Sequence, residues 1–380
     1  MNHEQRQRVH DLLRARGVTR ALFAHSDSVA WLTGFAPPMQ LGSHLFAGGP
    51  PLLWYEDGQF TLFVVDAFAD STMQFGKQSD CTVVTHPGYT YAQPLAGTHH
   101  LIASLRPVVA SSNRSSGAVG IEERNVPFVI SSVVLDTPSA QSTVVPIDGW
   151  LEPLRMIKTS EELNKLRENF ALADVGQAAV RQAVQAGKRE IDIWIEAHSA
   201  IQKVAGHRVP LGNDCVVGYR KLNFTGWPLD YEIKQDDSLI VDLGTGLHGY
   251  WSDGCATYFA NEPTPKQIVM HQTVTDALEL AISMIRPGIK GQEIDQRVRN
   301  LIASAGFPDY PHHTGHGIGV SRHEAPRIVP YSEEVLEEDM VIMLEPGIYI
   351  PGESGVRLED GILVTADGAE ILTKHDKSLP

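Results

Sequence analysis

Cysteine is scarce in this chain. Cys81, Cys215 and Cys255 are the three among 380 residues, and their odd number and wide spacing argue against a disulfide framework and against a thiolate zinc site. Basic charge is also short: 31 Lys and Arg stand against 46 Asp and Glu, a formal net charge of −15. Nucleic acids and anionic membranes both need basic surface, so neither is an expected partner. No apolar run approaches the ~18 residues of a membrane span. The N-terminal stretch "MNHEQRQRVHDLLRARG" lacks the apolar centre of a signal peptide. The expectation is a cytoplasmic protein that deals with small molecules or cations. What is present, 42% hydrophobic and 20% charged residues, suits a globular chain with room for two domains.

Residues 1–153 read as an α/β domain. A helix over residues 3–16 stops at Gly17, "ALFA" and "SVAWLTGF" give a strand and a short packed segment, and Asp57-Gly58 joins two apolar runs as a hairpin. "HHLIASLRP" suits a helix and "AVGIEE" a strand. No constellation that carries chemistry occurs here. From residue 154 onward the texture changes. Thr159 and Glu162 form a capping box for a helix ending near Gly187, and a second helix runs to Gly206. Thr264-Pro265 opens another helix, ending at Pro287-Gly288, and a further one runs to Gly306. The joints "GKREID" and "GQEID" match. This spells an internal repeat of about a hundred residues, a helix pair followed by strands.

Each copy carries acids where apolar strands end. "SLIVDLGTGLHGYWSDGCATY" places Asp242 after one run and Asp253 on the next extended run, and a turn through Gly244 to Gly249 can bring both to one side of a sheet. Gly244, Gly246 and Gly249 also spell a dinucleotide fingerprint, but "YWSDGCATYF" continues as strand where that motif needs a helix. In the second copy, "EDMVIMLEPG" carries Glu345, "GVRLE" carries Glu359 and "GHG" holds His316. Each acid has a mundane alternative in a turn or an ion pair, as Glu359 has with Arg357. Together, ionised groups at the ends of three apolar strands call for cations, and four carboxylates balance two divalent ions.

The blocks "VDLG…GYWSD", "GHGIGVSRHE", "LEPGIY" and "RLEDGILVT" resemble, in order and spacing, those of the Xaa-Pro dipeptidase (prolidase), aminopeptidase P and creatinase-like family of pita-bread metallopeptidases. The resemblance implies an α/β creatinase-like N-terminal domain and, over residues 154–380, a curved antiparallel sheet with a pseudo-two-fold repeat. It implies two divalent ions, Mn, Co, Fe or Zn, with Asp253 and Glu359 bridging, Asp242 completing one, and His316 and Glu345 the other. Glu345 is then the proton acceptor and relay. His323 and His312 match positions holding substrate or the developing oxyanion, and Arg357 and Arg327 match supporting or carboxylate-binding positions. The implied activity is hydrolysis of a short peptide before proline, by a homodimer.

Two blocks depart from the family pattern. "NFTGWP" stands where a histidine contacts substrate in relatives, with Phe224 and Thr225 at that place and Trp227 beyond. "GCAT" replaces a block that commonly carries an arginine, here Ala256. These departures leave open a metal-dependent hydrolase or lyase of a non-peptide small amide, with Thr225 and Trp227 lining its substrate site, and a non-catalytic interaction protein on the same scaffold.

Overall fold

Apolar residues gather into separate cores along the chain, and the chain divides accordingly into two units, Met1–Leu154 and Arg155–Pro380. The computed structural model describes residues 2–36, 49–72, 79–89, 91–92, 96–111, 117–135, 143–220 and 226–380. Among these, no helix is long and apolar enough to cross a membrane.

The first unit runs α1 (His3–Ala15), β1 (Val18–Phe23), α2 (Ser26–Thr33), β2 (Leu52–Glu56), β3 (Gln59–Val65), α3 (Ala69–Thr72), β4 (Cys81–His86), α4 (Gly97–Ser111), β5 (Ala118–Ile121), α5 (Phe128–Leu135) and β6 (Val144–Pro146). Its sheet has the order β4-β3-β2-β1-β5-β6. The β2–β3 turn takes Asp57 and Gly58 through φ of 45° and 89°, a conformation in which an Asp-Gly pair is at ease. Leu22, Trp54 and Phe63 from the sheet pack with Leu101, Leu105 and Ile130 from α4 and α5.

After α6 (Glu152–Met156), the second unit states the same sentence twice. α7 (Ser160–Ala183) and α8 (Glu190–Ala205) precede β7 (Leu211–Val217), β8 (Ser238–Leu247), β9 (Tyr250–Trp251) and β10 (Cys255–Phe259). α9 (Pro265–Met284) and α10 (Gly291–Ser304) precede β11 (Gly315–Gly317), β12 (Glu324–Ile328), β13 (Val341–Leu344), β14 (Gly347–Ile350), β15 (Ser354–Arg357), β16 (Asp360–Thr365) and β17 (Gly368–Ile371). Both leading helices open on a full capping box, Thr159 with Glu162 and Thr264 with Gln267. The joints repeat bond for bond: Gly187 N donates to Ile233 O and Gly288 N to Leu336 O, while Ile233 N and Leu336 N return to Lys188 O and Ile289 O. Every strand pair here is antiparallel, in the orders β10-β8-β7, β12-β11-β13-β16-β17 and β14-β15. Each helix pair covers its own sheet, with separate cores around Val180, Ile201 and Leu243 and around Val274, Val298 and Ile342.

The dinucleotide fingerprint is absorbed into strand, as its sequel implied. Gly244 and Gly246 lie within β8, and His248-Gly249 turn the β8–β9 hairpin at φ of 56° and 79°. Gly315 has a stricter duty, because a Cβ there would stand 2.1 Å from the Met343 carbonyl oxygen on β13. Gly315→Ala is therefore expected to cost about 1–3 kcal/mol, as overpacking does, read by urea unfolding. Gly368→Ala, with nothing within 4 Å of its Cβ position, should stay within about 0.5 kcal/mol.

Candidate metal centre

Strand alternation decides where the acids point. On β8, Leu239, Val241 and Leu243 face the core under α7 and α8, whereas Ile240 packs with Val216 and Cys255 on the other side. Asp242 shares that second face. In the other half, Ile342 and Leu344 face the core of α9 and α10, so Glu345, the next residue after β13, falls on the side away from the helices. The repeat thus presents one acid per half to the same side of the sheets.

Hydrogen bonds close the halves on each other. Glu359 lies between β15 and β16, and its N–H donates 2.9 Å to Cys255 O at the head of β10. Thr257 Oγ1 donates to Arg357 O and accepts from Arg357 N, both at 2.9 Å. Asp253 lies where the chain still runs alongside β8, with Ser252 N donating to Thr245 O at 2.9 Å. It sits in the link between β9 and β10, beside Gly254, whose carbonyl pairs with Leu243 N at 2.9 Å. His316 is central in β11, opposite Met343, and the glycines flanking it serve the close approach of β12 and β13 rather than access to its ring.

The five expected ligands come together in one cluster. One donor atom from each of Asp253, His316 and Glu359 lies within 4.8 Å of the others. His316 Nε2 is 3.5 Å from Glu345 Oε1 and 4.0 Å from Glu359 Oε1, and Asp242 joins Asp253 through a shared guanidinium. Burial and the nearby Asp253 raise the Asp242 carboxyl to about 6 and lift Glu359 well above the usual carboxylate range. Burial alone would also raise Glu345, yet the hydrogen bond from His313, with His312 and Arg357 close by, holds it well below. Burial, reinforced by His323, drives His316 down to about 3.

Arg357 underlies the cluster. It is 4% exposed and donates to Asp242 Oδ2 at 2.6 Å and Asp214 Oδ2 at 3.3 Å, with Nε 3.9 Å from Glu345 Oε2. His312 is committed within the protein: its Nδ1 pairs with His313 O and its Nε2 with Tyr349 Oη, both at 2.8 Å. His323 is exposed, its ring centroid 4.1 Å from that of His316. Arg327 is exposed on β12, 3.3 Å from Glu334. Trp227 is 72% exposed, and Thr225, like Phe224, lies outside the described residues.

Four residues of the site escaped the sequence reading. Asp214 stands directly opposite Asp242 on β7, His313 Nε2 meets Glu345 Oε1 at 2.7 Å, the Tyr349 hydroxyl donates to His312 Nε2, and Arg322 holds Asp242 and Asp253 together. For His313 and Arg322 the only signal was adjacency, next to His312 and His323.

The donor set fits divalent ions. His316 Nδ1 pairs with Gly317 O at 2.9 Å; a carbonyl only accepts, so the proton is on Nδ1 and Nε2 carries a lone pair. That Nε2 and Glu359 Oε2 are both buried without a hydrogen-bond partner, a costly arrangement unless a cation takes them up. Residues 164–366 match the model of metallopeptidase family M24, over more than half the chain. The chain belongs to metallopeptidase family M24. Residues 5–157 match the creatinase/prolidase N-terminal domain. Over 235 residues the chain is 36% identical to the Xaa-Pro dipeptidase of Pyrococcus furiosus, covering 61% of this chain and 67% of that protein. Among solved structures, an Xaa-Pro dipeptidase from Bacillus anthracis superposes with a TM-score of 0.84 at 25% identity, over 100% of this chain and 99% of that one. The prolidase from Pyrococcus furiosus does so at 0.79 and 26%, over 97% and 99%. The protein is thus a pita-bread metallopeptidase that uses divalent metal ions.

For this M24 enzyme, Mn²⁺ is expected to raise the unfolding temperature, since an ion at 100 times its Kd adds about 2.7 kcal/mol to the native state. Asp253→Ala and His316→Ala should lose that increment. Glu359→Gln, which keeps the shape and removes an acid whose ionisation burial and Asp253 disfavour, should stabilise the metal-free protein and still lose it. Differential scanning calorimetry with and without Mn²⁺ reads both effects.

Proposed function

We propose that this M24 metallopeptidase is an Xaa-Pro dipeptidase working with two divalent ions, Mn, Co, Fe or Zn, held by Asp242, Asp253, His316, Glu345 and Glu359. The observation that carries the reading is the pair of partnerless buried atoms, His316 Nε2 and Glu359 Oε2, on residues whose donor atoms cluster with that of Asp253 within 4.8 Å. Ions there would activate a water and polarise the carbonyl of the bond to be cleaved.

The chain's own residues supply the rest. Glu345, kept ionised by His313 and Arg357, takes a proton and delivers it to the departing nitrogen. His323 is open to solvent beside His316 and is placed to contact the substrate. His312 acts one step back: with Nδ1 donating to a carbonyl, its Nε2 accepts from Tyr349 and fixes that hydroxyl near Arg357. Arg357 holds Asp242 and Asp214 apart from mutual repulsion. For Arg327 the substrate-binding assignment, like the homodimer, is supported by the resemblance alone; Thr225 and Trp227 are assigned there because they stand in the block that replaces the relatives' substrate-contacting histidine, and the cytoplasmic location rests on the few, widely spaced cysteines.

The test is turnover of Ala-Pro and Gly-Pro by Mn²⁺- or Co²⁺-loaded enzyme, with Ala-Ala as the control. Cleavage of the proline dipeptides, its loss on chelation, and a fall in kcat of about a hundredfold or more in Glu345→Gln are expected. A loaded enzyme that leaves both dipeptides intact while opening cyclic amides or amidines would transfer the site to the small-amide reading, for which the "NFTGWP" block already speaks.

A further inference from the structure

The carboxylate-rich end of the centre already contains a cation. Arg322 Nε donates 2.8 Å to Asp253 Oδ2, and its Nη2 donates 2.8 Å to Asp253 Oδ1 and 2.7 Å to Asp242 Oδ1. The remaining oxygen, Asp242 Oδ2, accepts from Arg357 at 2.6 Å. All four oxygens of this aspartate pair therefore accept from guanidinium groups, while the partnerless lone-pair atoms among the proposed ligands, His316 Nε2 and Glu359 Oε2, belong to the other end.

The Arg322 position is built. Its side chain leaves the segment between β11 and β12 and reaches across to the other half, past Gly212 and Gly244, which face each other on β7 and β8. A Cβ at Gly212 would lie 2.9 Å from Arg322 Nη1, and one at Gly244 3.2 Å from Nε, so two residues without side chains make the slot. The segment is tied down by Trp251 N donating to Gly319 O at 2.8 Å.

The two arginines differ in what they can do next. The Arg357 side chain is 5% exposed, whereas that of Arg322 is 26% exposed, against 13% and 2% for the aspartates it holds. Of the two, Arg322 is the one with a face to solvent.

We propose that Arg322 is an internal counter-cation that competes with metal for Asp242 and Asp253, so that the enzyme holds one divalent ion tightly at the His316–Glu345–Glu359 end and admits a second only as Arg322 withdraws. The proposal rests on the reading of these residues as a metal centre. Charge balance agrees with it. Asp214, Asp242, Asp253, Glu345 and Glu359 against Arg322 and Arg357 leave three negative charges, which one divalent ion reduces to one. Two ions with Arg322 in place overshoot to positive, and two ions with Arg322 withdrawn reach neutrality. A bidentate guanidinium on a carboxylate is among the strongest side-chain pairings, so displacing it weakens the second ion's binding by roughly tenfold or more.

The experiment is equilibrium dialysis against Mn²⁺ with metal analysis, together with calorimetric titration, on the full chain, Arg322→Ala and Gly212→Ala. The unaltered protein is expected to retain one ion per chain and to bind a second weakly. Arg322→Ala should retain two, with the second bound at least roughly tenfold more tightly, and its Mn²⁺-dependent rise in unfolding temperature should exceed that of the parent. Gly212→Ala, which crowds the guanidinium without removing a charge, should shift the second affinity the same way and serves if Arg322→Ala folds poorly. Two ions of equal affinity in the parent, unchanged in both variants, would overturn the role of Arg322 and leave the metal centre standing. No ion bound by any of the three would overturn both.

Discussion

Carboxylates repel one another at short range in a medium that shields poorly, and the second unit is arranged around the cations that make their meeting tolerable. Asp214 and Asp242 face each other across β7 and β8, a placement that would weaken the sheet without a partner. Arg357 bridges them from below and Arg322 bridges Asp242 to Asp253 from the open side. What the arginines leave unserved is the imidazole end, where Nε2 of His316 and an oxygen of Glu359 have no protein partner. A divalent ion there would complete a pattern of compensation that the side chains begin.

The fold serves that meeting by duplication. Each helix pair buries the alternate residues of its own sheet, which leaves the intervening positions of both sheets to one common side. Two of the contacts that join the halves, Glu359 to Cys255 and Arg357 to Thr257, are made by the proposed ligands or by residues next to them. Stability of the junction and geometry of the site are consequently one property, and a variant that loosens β10 against β15 would disturb both.

Much of this was legible in the chain. Capping boxes and terminal glycines marked the long helices because a helix end must satisfy its free backbone groups locally. The repeat was visible in "GKREID" and "GQEID" because the same joint must be built twice, and acids closing apolar strands stood out because burial makes them expensive. The rest depended on distance through space. Arg322 reads as a solvated charge until the slot between Gly212 and Gly244, about a hundred residues earlier, is seen beside it. Of the adjacent histidines, His312 turns to Tyr349 and His313 to Glu345, a choice made by loop geometry that no periodicity governs. Asp214 has no apolar run behind it to betray burial.

The central claim is that cations gather these acids in one pocket, and it is tested most directly by anomalous diffraction at the manganese edge from crystals grown with Mn²⁺. A strong peak bounded by His316, Glu345 and Glu359 is expected. A strongest peak elsewhere, or these side chains closing on one another with no peak between them, would contradict it.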